Sequence, residues 1–192
     1  MTKYYPGGAA NIYKRAVSYS EEDEANKFIL LDGDQRRAKL DPSQFTLEQS
    51  SDVDFLSEKL QEETGIQFSN LGFKIDGNAQ RGGSSDQKRK AILKYLAYLN
   101  TNLEYLPLNI PEEIIWNDQH ADALLATIEK TIPVGITDFK IKFAEFAKLQ
   151  FGSGEASSIA AAHKMFIQNF IRRKDENYQE IVQILTKFKD GD

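Results

Sequence analysis

The sequence predicts an α/β protein: a parallel β-sheet with flanking helices over residues 1–118, followed by an α-helical C-terminal extension over residues 119–192. Two observations support this division. At the N-terminus, a short β-prone segment, a glycine turn, an amphipathic segment and an apolar run follow one another, which is the order of a βαβ unit and therefore of a parallel sheet. After Asn117 nothing strand-like remains, and amphipathic helical segments succeed one another.

The first elements are short and well punctuated. Residues 3–5 form a β-prone run that stops at a Pro-Gly-Gly turn. Residues 9–20 carry Ile12, Ala16 and Tyr19 at helical spacing, which predicts a helix. An apolar strand over residues 27–31 then runs directly into the sequence Asp-Gly-Asp.

The middle of the chain alternates helices with one more strand. A helix bearing Val53, Leu56 and Leu60 is predicted to begin at Ser50, Ser51 or Asp52 and to end at Thr64-Gly65. A glycine- and serine-rich loop over residues 76–85 precedes a helix for which Asp86 is the predicted N-cap. Residues 103–108 read as a strand, and residues 111–116 as a helix that begins at proline with acidic residues in its first turn.

The C-terminal helices carry apolar stripes that are typical of a core rather than of a cofactor site. Each stripe repeats at helical spacing and predicts one buried face. The three stripes are Phe139, Phe143 and Phe146; Phe166, Ile167, Phe170 and Ile171; and Ile181, Ile184, Leu185 and Phe188.

Composition limits the chemistry that this chain can support. Its 192 residues contain no cysteine and two histidines, His120 and His163, for which we expect structural or surface roles. Any metal ion would therefore have oxygen ligands, as Mg²⁺, Mn²⁺ and Ca²⁺ prefer. The net charge of −5 argues against a generally basic DNA-binding protein, although a local patch or a metal ion can still meet DNA. No signal peptide and no run of roughly 18 apolar residues is visible, so we expect a cytoplasmic protein without a membrane partner.

The Asp-Gly-Asp sequence is the sharpest candidate for a site. Asp32 and Asp34 follow a buried strand, at the position where open α/β sheets hold their ligands. The bend at Gly33 lets both carboxylates turn toward one hard cation, which predicts a metal site that also binds phosphate. Arg36 and Arg37 follow directly and could contact a DNA backbone. The alternative, a solvated surface turn, stays open at this point.

Other polar residues allow weaker hypotheses. A basic stretch beside the glycine-rich loop suits phosphate contact, with a solvated helix face as the alternative; it comprises Arg81, Lys88, Arg89, Lys90 and Lys94. Glu112 and Glu113 belong to the first turn of their helix, and one of them could face the metal site. Asp52 and Asp54 repeat the Asp-X-Asp spacing, but helix capping explains them better.

Three segments together resemble the C-terminal Toprim region of ATPases related to the OLD (overcoming lysogenization defect) family. They are "YYPGGAANIYKRA", "LLDGD" and "LEYLPLNIPEEIIW", within residues 1–118. Such proteins join an ABC-type ATPase to a metal-dependent nuclease and serve in antiphage defence. The resemblance implies a DNA endonuclease with Asp32 and Asp34 as catalytic metal ligands and Mg²⁺ or Mn²⁺ as cofactor. It also implies DNA and an ATPase portion or partner subunit as partners.

The chain departs from the Toprim pattern in two respects. A Toprim fold opens with a strand that ends in a glutamate, whereas this chain begins at what resembles the second strand, and no Walker "GxxxxGK[ST]" motif is present. We therefore expect a fragment or remnant of a longer protein, inactive or weakly active alone.

Two other functions stay open beside the nuclease. A non-catalytic interaction module would use the sheet edge left by the missing strand to pair with a partner subunit or with another copy in a homo-oligomer. A HAD-like phosphatase is suggested by "LLDGD", but the expected threonine is replaced by Gln35 and the motif follows the second strand instead of the first.

Overall fold

The structure, a computed structural model, describes residues 7–24, 26–75 and 84–190. It is mostly helical, with 67% helix and 3% strand. Two strands occur in the described residues, β1 (Ile29–Leu31) and β2 (Leu103–Tyr105). The α-helices there are α1 (Ala9–Glu21), α2 (Leu47–Ser51), α3 (Val53–Thr64), α4 (Phe68–Leu71), α5 (Ser85–Asn102), α6 (Pro111–Ile115), α7 (Asp118–Ala126), α8 (Phe139–Phe151), α9 (Ala156–Arg173) and α10 (Glu176–Asp190).

The two strands pair in parallel, which agrees with the prediction of a parallel sheet. Leu30 lies opposite Glu104, between the pairs Ile29–Leu103 and Leu31–Tyr105. Both strands are shorter than predicted: β1 ends at the Asp-Gly turn, and β2 ends before Pro107, which has no N–H for a strand ladder. The predicted strand at residues 3–5 lies outside the described residues.

The prediction of an α/β protein is therefore confirmed only in that helices accompany a parallel sheet. A small parallel sheet is present, but most of the described chain is helical. The reason is visible in the sequence: strong capping residues and apolar stripes at helical spacing occupy most of the chain, and only six residues lie in strands. A larger Toprim-like sheet stays a prediction.

The chain divides into two compact units. The first comprises Met1–Leu31, Gln35–Tyr105 and Thr186–Asp192. Its core lies among α1, α3, α5 and the inner face of the sheet, where Ile29, Leu31 and Leu103 are buried. The largest wholly buried side chains of this core are Tyr13, Leu56, Leu60, Leu71, Ile92, Tyr95, Leu96 and Leu99.

The second unit comprises Asp32–Asp34 and Leu106–Leu185. Its core is aromatic: Trp116 stacks on Phe166 with ring centroids 4.7 Å apart, and Phe143 meets both rings edge to face. The core prediction is thus confirmed for Phe143, Phe146, Phe166 and Phe170, which are buried. It is wrong for Ile167 and Ile171, which are 43% and 51% exposed on the other side of α9. The first unit passes into the second after Tyr105. The predicted domain boundary near residue 118 stays a prediction.

Helix ends follow local chemistry, with one correction. Asp52 caps α3 by accepting hydrogen bonds from the N–H groups of Asp54 and Phe55, and Gly65 ends that helix in the left-handed conformation at φ 72°. Both were predicted. Asp86, however, does not cap α5, because Ser84 forms a capping box with Gln87 and places Asp86 in the first turn.

No helix among the described residues is long and apolar enough to cross a membrane.

Candidate functional site

The Asp32-Gly33-Asp34 turn lies directly against backbone. The Gly33 N–H donates to the Leu108 carbonyl at 3.2 Å, and the Asp34 N–H donates to the Asn109 carbonyl, also at 3.2 Å. A β-carbon on Gly33 would stand 2.2 Å from the Leu108 carbonyl oxygen, far inside contact distance. The residue between the two aspartates must therefore be glycine because the backbones approach so closely.

Negative charge converges at Asp32. Burial, the Asp34 carboxylate and the Glu112 carboxylate, in that order, raise the pKa of Asp32, and the Lys140 ammonium opposes them. All four side chains belong to the second unit. A carboxylate that other carboxylates hold at a raised pKa lies in a potential that attracts cations.

The two glutamates of α6 have different surroundings. Glu113 accepts a hydrogen bond from the Asn109 N–H at 3.1 Å and so stabilises the start of its own helix. Glu112 is the one that interacts with Asp32. That one of the pair faces a metal site stays a prediction, and Glu112 is the residue to which it applies.

The donor set suits a hard cation. Carboxylate oxygens are the ligands that Mg²⁺ and Mn²⁺ prefer, and Asp32, Asp34 and Glu112 supply them. Within residues 7–24, 26–75 and 84–190, no three acidic or histidine side chains stand close enough together to hold a metal ion as placed.

Compared with known proteins, this chain matches no family model, no curated protein and no solved structure. The resemblance to the OLD family therefore rests on the three sequence segments alone.

Lys140 is the site residue that sequence reasoning missed. It lies in the first turn of α8, far along the chain from Asp32, and belongs to the predicted helical extension. Its sequence surroundings, "DFKIKF", read only as an amphipathic helix start. No local signal could have placed its ammonium near Asp32, because tertiary packing of the second unit brings them together.

The arginines after the turn are in the first unit. Arg36 is exposed, and its side chain has interactions within the protein. The Arg37 guanidinium lies against the end of α3, where a β-carbon on Gly65 would stand 2.7 Å from its Nη2 atom. Arg37 thus packs against a helix C-terminus, where a cation is favourable. A DNA contact by either arginine stays a prediction.

The basic stretch of α5 is largely paired with acids. Arg89 and Lys90 form ion pairs with Asp86 at 2.5 Å and 2.8 Å, and Lys94 pairs with Asp23 at 2.7 Å. The Lys88 ammonium is 6.0 Å from the Phe68 ring centroid. Arg81 lies outside the described residues. These pairs lower the positive potential of the helix face, and phosphate binding by Lys88 and Arg89 stays a prediction.

Both histidines pack against phenylalanines of the second core. His120 meets Phe166 edge to face at 5.2 Å, and His163 meets Phe143 at 4.4 Å. Burial, followed by the charges of Arg173 and Arg172, lowers the pKa of His120. These ring contacts place both histidines in the packing of the second unit.

Proposed function

We propose that this chain is the Toprim-like part of a metal-dependent DNA endonuclease from an ATPase-linked antiphage system. The observation that supports the proposal is that the carboxylates of Asp34 and Glu112, after burial, raise the pKa of Asp32, which directly follows β1. A strand end followed by a turn is where open sheets bind their ligands. The family assignment rests on the sequence resemblance.

Asp32 and Asp34 would hold the metal, with Glu112 as the third carboxylate. A bound Mg²⁺ or Mn²⁺ supplies a Lewis acid for the phosphate and an acidified water. The chain's own residues do the rest: Gly33 sets the turn by its close approach to Leu108, and the Lys140 ammonium offsets part of the carboxylate repulsion. The same ammonium would attract a phosphate oxygen.

Replacing both aspartates by asparagine should strongly weaken metal binding by the purified chain. Each substitution removes an anionic ligand, so we expect Mn²⁺ affinity to fall by about tenfold to a hundredfold or more. Mn²⁺-induced broadening of backbone NMR signals measures this: in the native chain, the signals of Asp32, Gly33, Asp34 and Glu112 should broaden first. The matched control is Asp52→Asn with Asp54→Asn, which alters an Asp-X-Asp sequence at a helix start. Equal affinity in both double variants would remove Asp32 and Asp34 from metal binding.

In the complete parent protein, the same Asp32→Asn, Asp34→Asn double variant should lose Mg²⁺- or Mn²⁺-dependent DNA cleavage while folding normally. Supercoiled plasmid nicking measures the activity, and circular dichroism checks the fold. Unchanged cleavage would exclude these residues from the reaction.

The 192-residue chain alone should show no robust nicking, even with Mn²⁺. A hard cation held by few carboxylates keeps most of its water, and the opening strand's glutamate is not among the residues that resemble the family. The loss of general-base catalysis alone is worth about 10²- to 10⁴-fold. Clear nicking that Asp32→Ala abolishes would contradict this expectation and would indicate that Glu112 completes the site. Turnover of a phosphomonoester in the same assay would favour the HAD-like alternative instead.

A non-catalytic interaction module is the second candidate. It is favoured by large apolar side chains that the second unit exposes, namely Ile167, Ile171 and Leu185, which are 43%, 51% and 53% exposed. Apolar side chains exposed on neighbouring helices are typical of surfaces that bind another protein.

A further inference from the structure

Helix α10 is amphipathic, yet none of its residues from Glu176 to Lys189 is buried. Its apolar side chains are half-buried at most, and Leu185 is 53% exposed. Helices in proteins owe most of their stability to the burial of an apolar face. When α10 packs within its own chain, much of its apolar face therefore lacks the burial that its amphipathic pattern predicts.

Aromatic and ionic contacts hold the helix near both of its ends. Near its start, the Tyr178 ring meets Phe170 of α9 at 5.6 Å. Near its end, Phe188 stacks on Phe28 at 4.7 Å with an interplanar angle of 21°, and Lys187 pairs with Glu104. These last contacts belong to the first unit, which the final residues of α10 join.

The surface that receives the end of α10 is the outer face of the sheet. Phe28 immediately precedes β1, and Leu30 and Glu104 lie opposite each other in the ladder with side chains away from the core. Parallel sheets normally have both faces covered. Here the last turn of α10 and the Lys39 side chain, which pairs with Glu104 at 3.0 Å, lie on this face, and Leu30 remains 37% exposed. The outer face of the sheet thus binds a helical segment through two adjacent residues, Lys187 and Phe188.

The connection between α9 and α10 is short and strained. It consists of Lys174 and Asp175, and Lys174 adopts the left-handed conformation at φ 51° and ψ 40°. A non-glycine residue in this region carries a conformational penalty. Continuing α9 directly into α10 would relieve it and would give helical partners to the orphan carbonyls of α9 and the orphan N–H groups of α10. It would give up the bond from the Tyr178 N–H to the Asp175 carboxylate, the bond from the Gln179 amide to the Lys174 carbonyl and the ring contact between Tyr178 and Phe170.

We propose that α10 is exchanged between two copies of this chain. The Lys174-Asp175 connection opens, and the last turn of α10, with Lys187 and Phe188, docks on the outer sheet face of the second copy. The exchange needs no new contact chemistry, because one chain carries both the face and the segment that fits it. Short hinge loops under strain favour such swaps, and the two-fold exchange closes on a dimer.

Light scattering over a wide concentration range tests the exchange through the hinge. Lys174→Gly removes the left-handed penalty from the closed chain, so dimerisation should weaken by about one to two orders of magnitude, because each dimer opens two hinges. Lys174→Ala keeps the penalty and suits a continuous helix, so this matched variant should dimerise at least as strongly as the native chain. A native chain that stays monomeric at every concentration, or a glycine variant that dimerises as strongly as the alanine variant, would overturn the proposal.

Cross-linking tests where the exchanged helix docks. Because the native sequence has no cysteine, only the introduced thiols can react. Lys27→Cys and Lys189→Cys place thiols beside the Phe28–Phe188 stack on two separate chains. After the two variants are mixed and treated with a short bismaleimide, the exchange predicts a covalent heterodimer. Lys189→Cys mixed with Ser69→Cys, whose thiol lies at an exposed position of α4, gives the background rate. Heterodimer no faster than this background would show that the contact forms only within one chain.

Discussion

Gly33→Ala is expected to be among the most damaging single substitutions in the chain. The new methyl group would lie 2.2 Å from the Leu108 carbonyl oxygen and 2.8 Å from the Leu106 carbonyl oxygen. Both are backbone atoms, which cannot swing away as a flexible side chain does, so the turn must separate from residues 106–109. We expect the free energy of unfolding to fall by about 3 kcal/mol, at the upper end for overpacking. Chemical denaturation measures it, and the loss of Mn²⁺-induced broadening at Asp32 and Asp34 would accompany it.

Gly154→Ala is the matched control. A β-carbon there has one neighbour within ordinary contact distance, the Ala144 carbonyl oxygen at 3.7 Å. This change should alter the free energy of unfolding by no more than about 0.5 kcal/mol. If Gly33→Ala proved equally harmless, the turn would not pack against residues 106–109 as the structure places it.

Local signals were sufficient for many helices. The helical spacing of Ile12 and Ala16 and the Asp52 and Gly65 ends located α1 and α3, because periodicity, caps and glycine stops act over a few residues. The same rules could have placed the start of α5. Ser84 and Gln87 form the capping-box pattern, although the loop predicted over residues 76–85 includes Ser84 and so conceals this helix start.

Long-range features were not accessible in this way. The Asp32 turn was visible, but its partners Glu112 and Lys140 are brought to it by tertiary packing that no local pattern encodes. The apolar stripe of α10 correctly indicated a helix and wrongly indicated a buried face, because periodicity identifies which side chains share a face without showing what covers it.

Glu63 is a further case that sequence patterns hide. It stands in the acidic run "QEET" of α3 and reads as a solvated side chain, yet it is wholly buried. Its Oε2 accepts a hydrogen bond from the Leu40 N–H at 3.3 Å, and its Oε1 has no partner among the described residues. Burial raises its pKa to about 8, against the smaller opposing effects of the Leu40 N–H and the Lys39 ammonium. The hydroxyls of Tyr13 and Tyr95, which also face it, have raised pKa values and stay neutral in this range.

Glu63→Gln should therefore stabilise the protein at alkaline pH. The folded state holds the Glu63 proton until about pH 8, whereas the unfolded chain releases it near pH 4.5. The contribution of Glu63 to native stability is therefore fully present below about pH 4.5 and is lost as the pH rises to about 8. The free energy of unfolding of the variant relative to the native chain should rise by roughly 1.4 kcal/mol per pH unit across that window and level off above it. Near pH 5 the variant should be slightly less stable than the native chain, by about 1 kcal/mol, because the amide adds donors that lack partners.

Urea denaturation at a series of pH values measures the difference. The control is Glu58→Gln, at an exposed position on the same helix, which should show no such slope. A flat difference for Glu63→Gln would mean that the carboxylate is hydrated and ionised within the fold, and that Leu40 does not seal it from water.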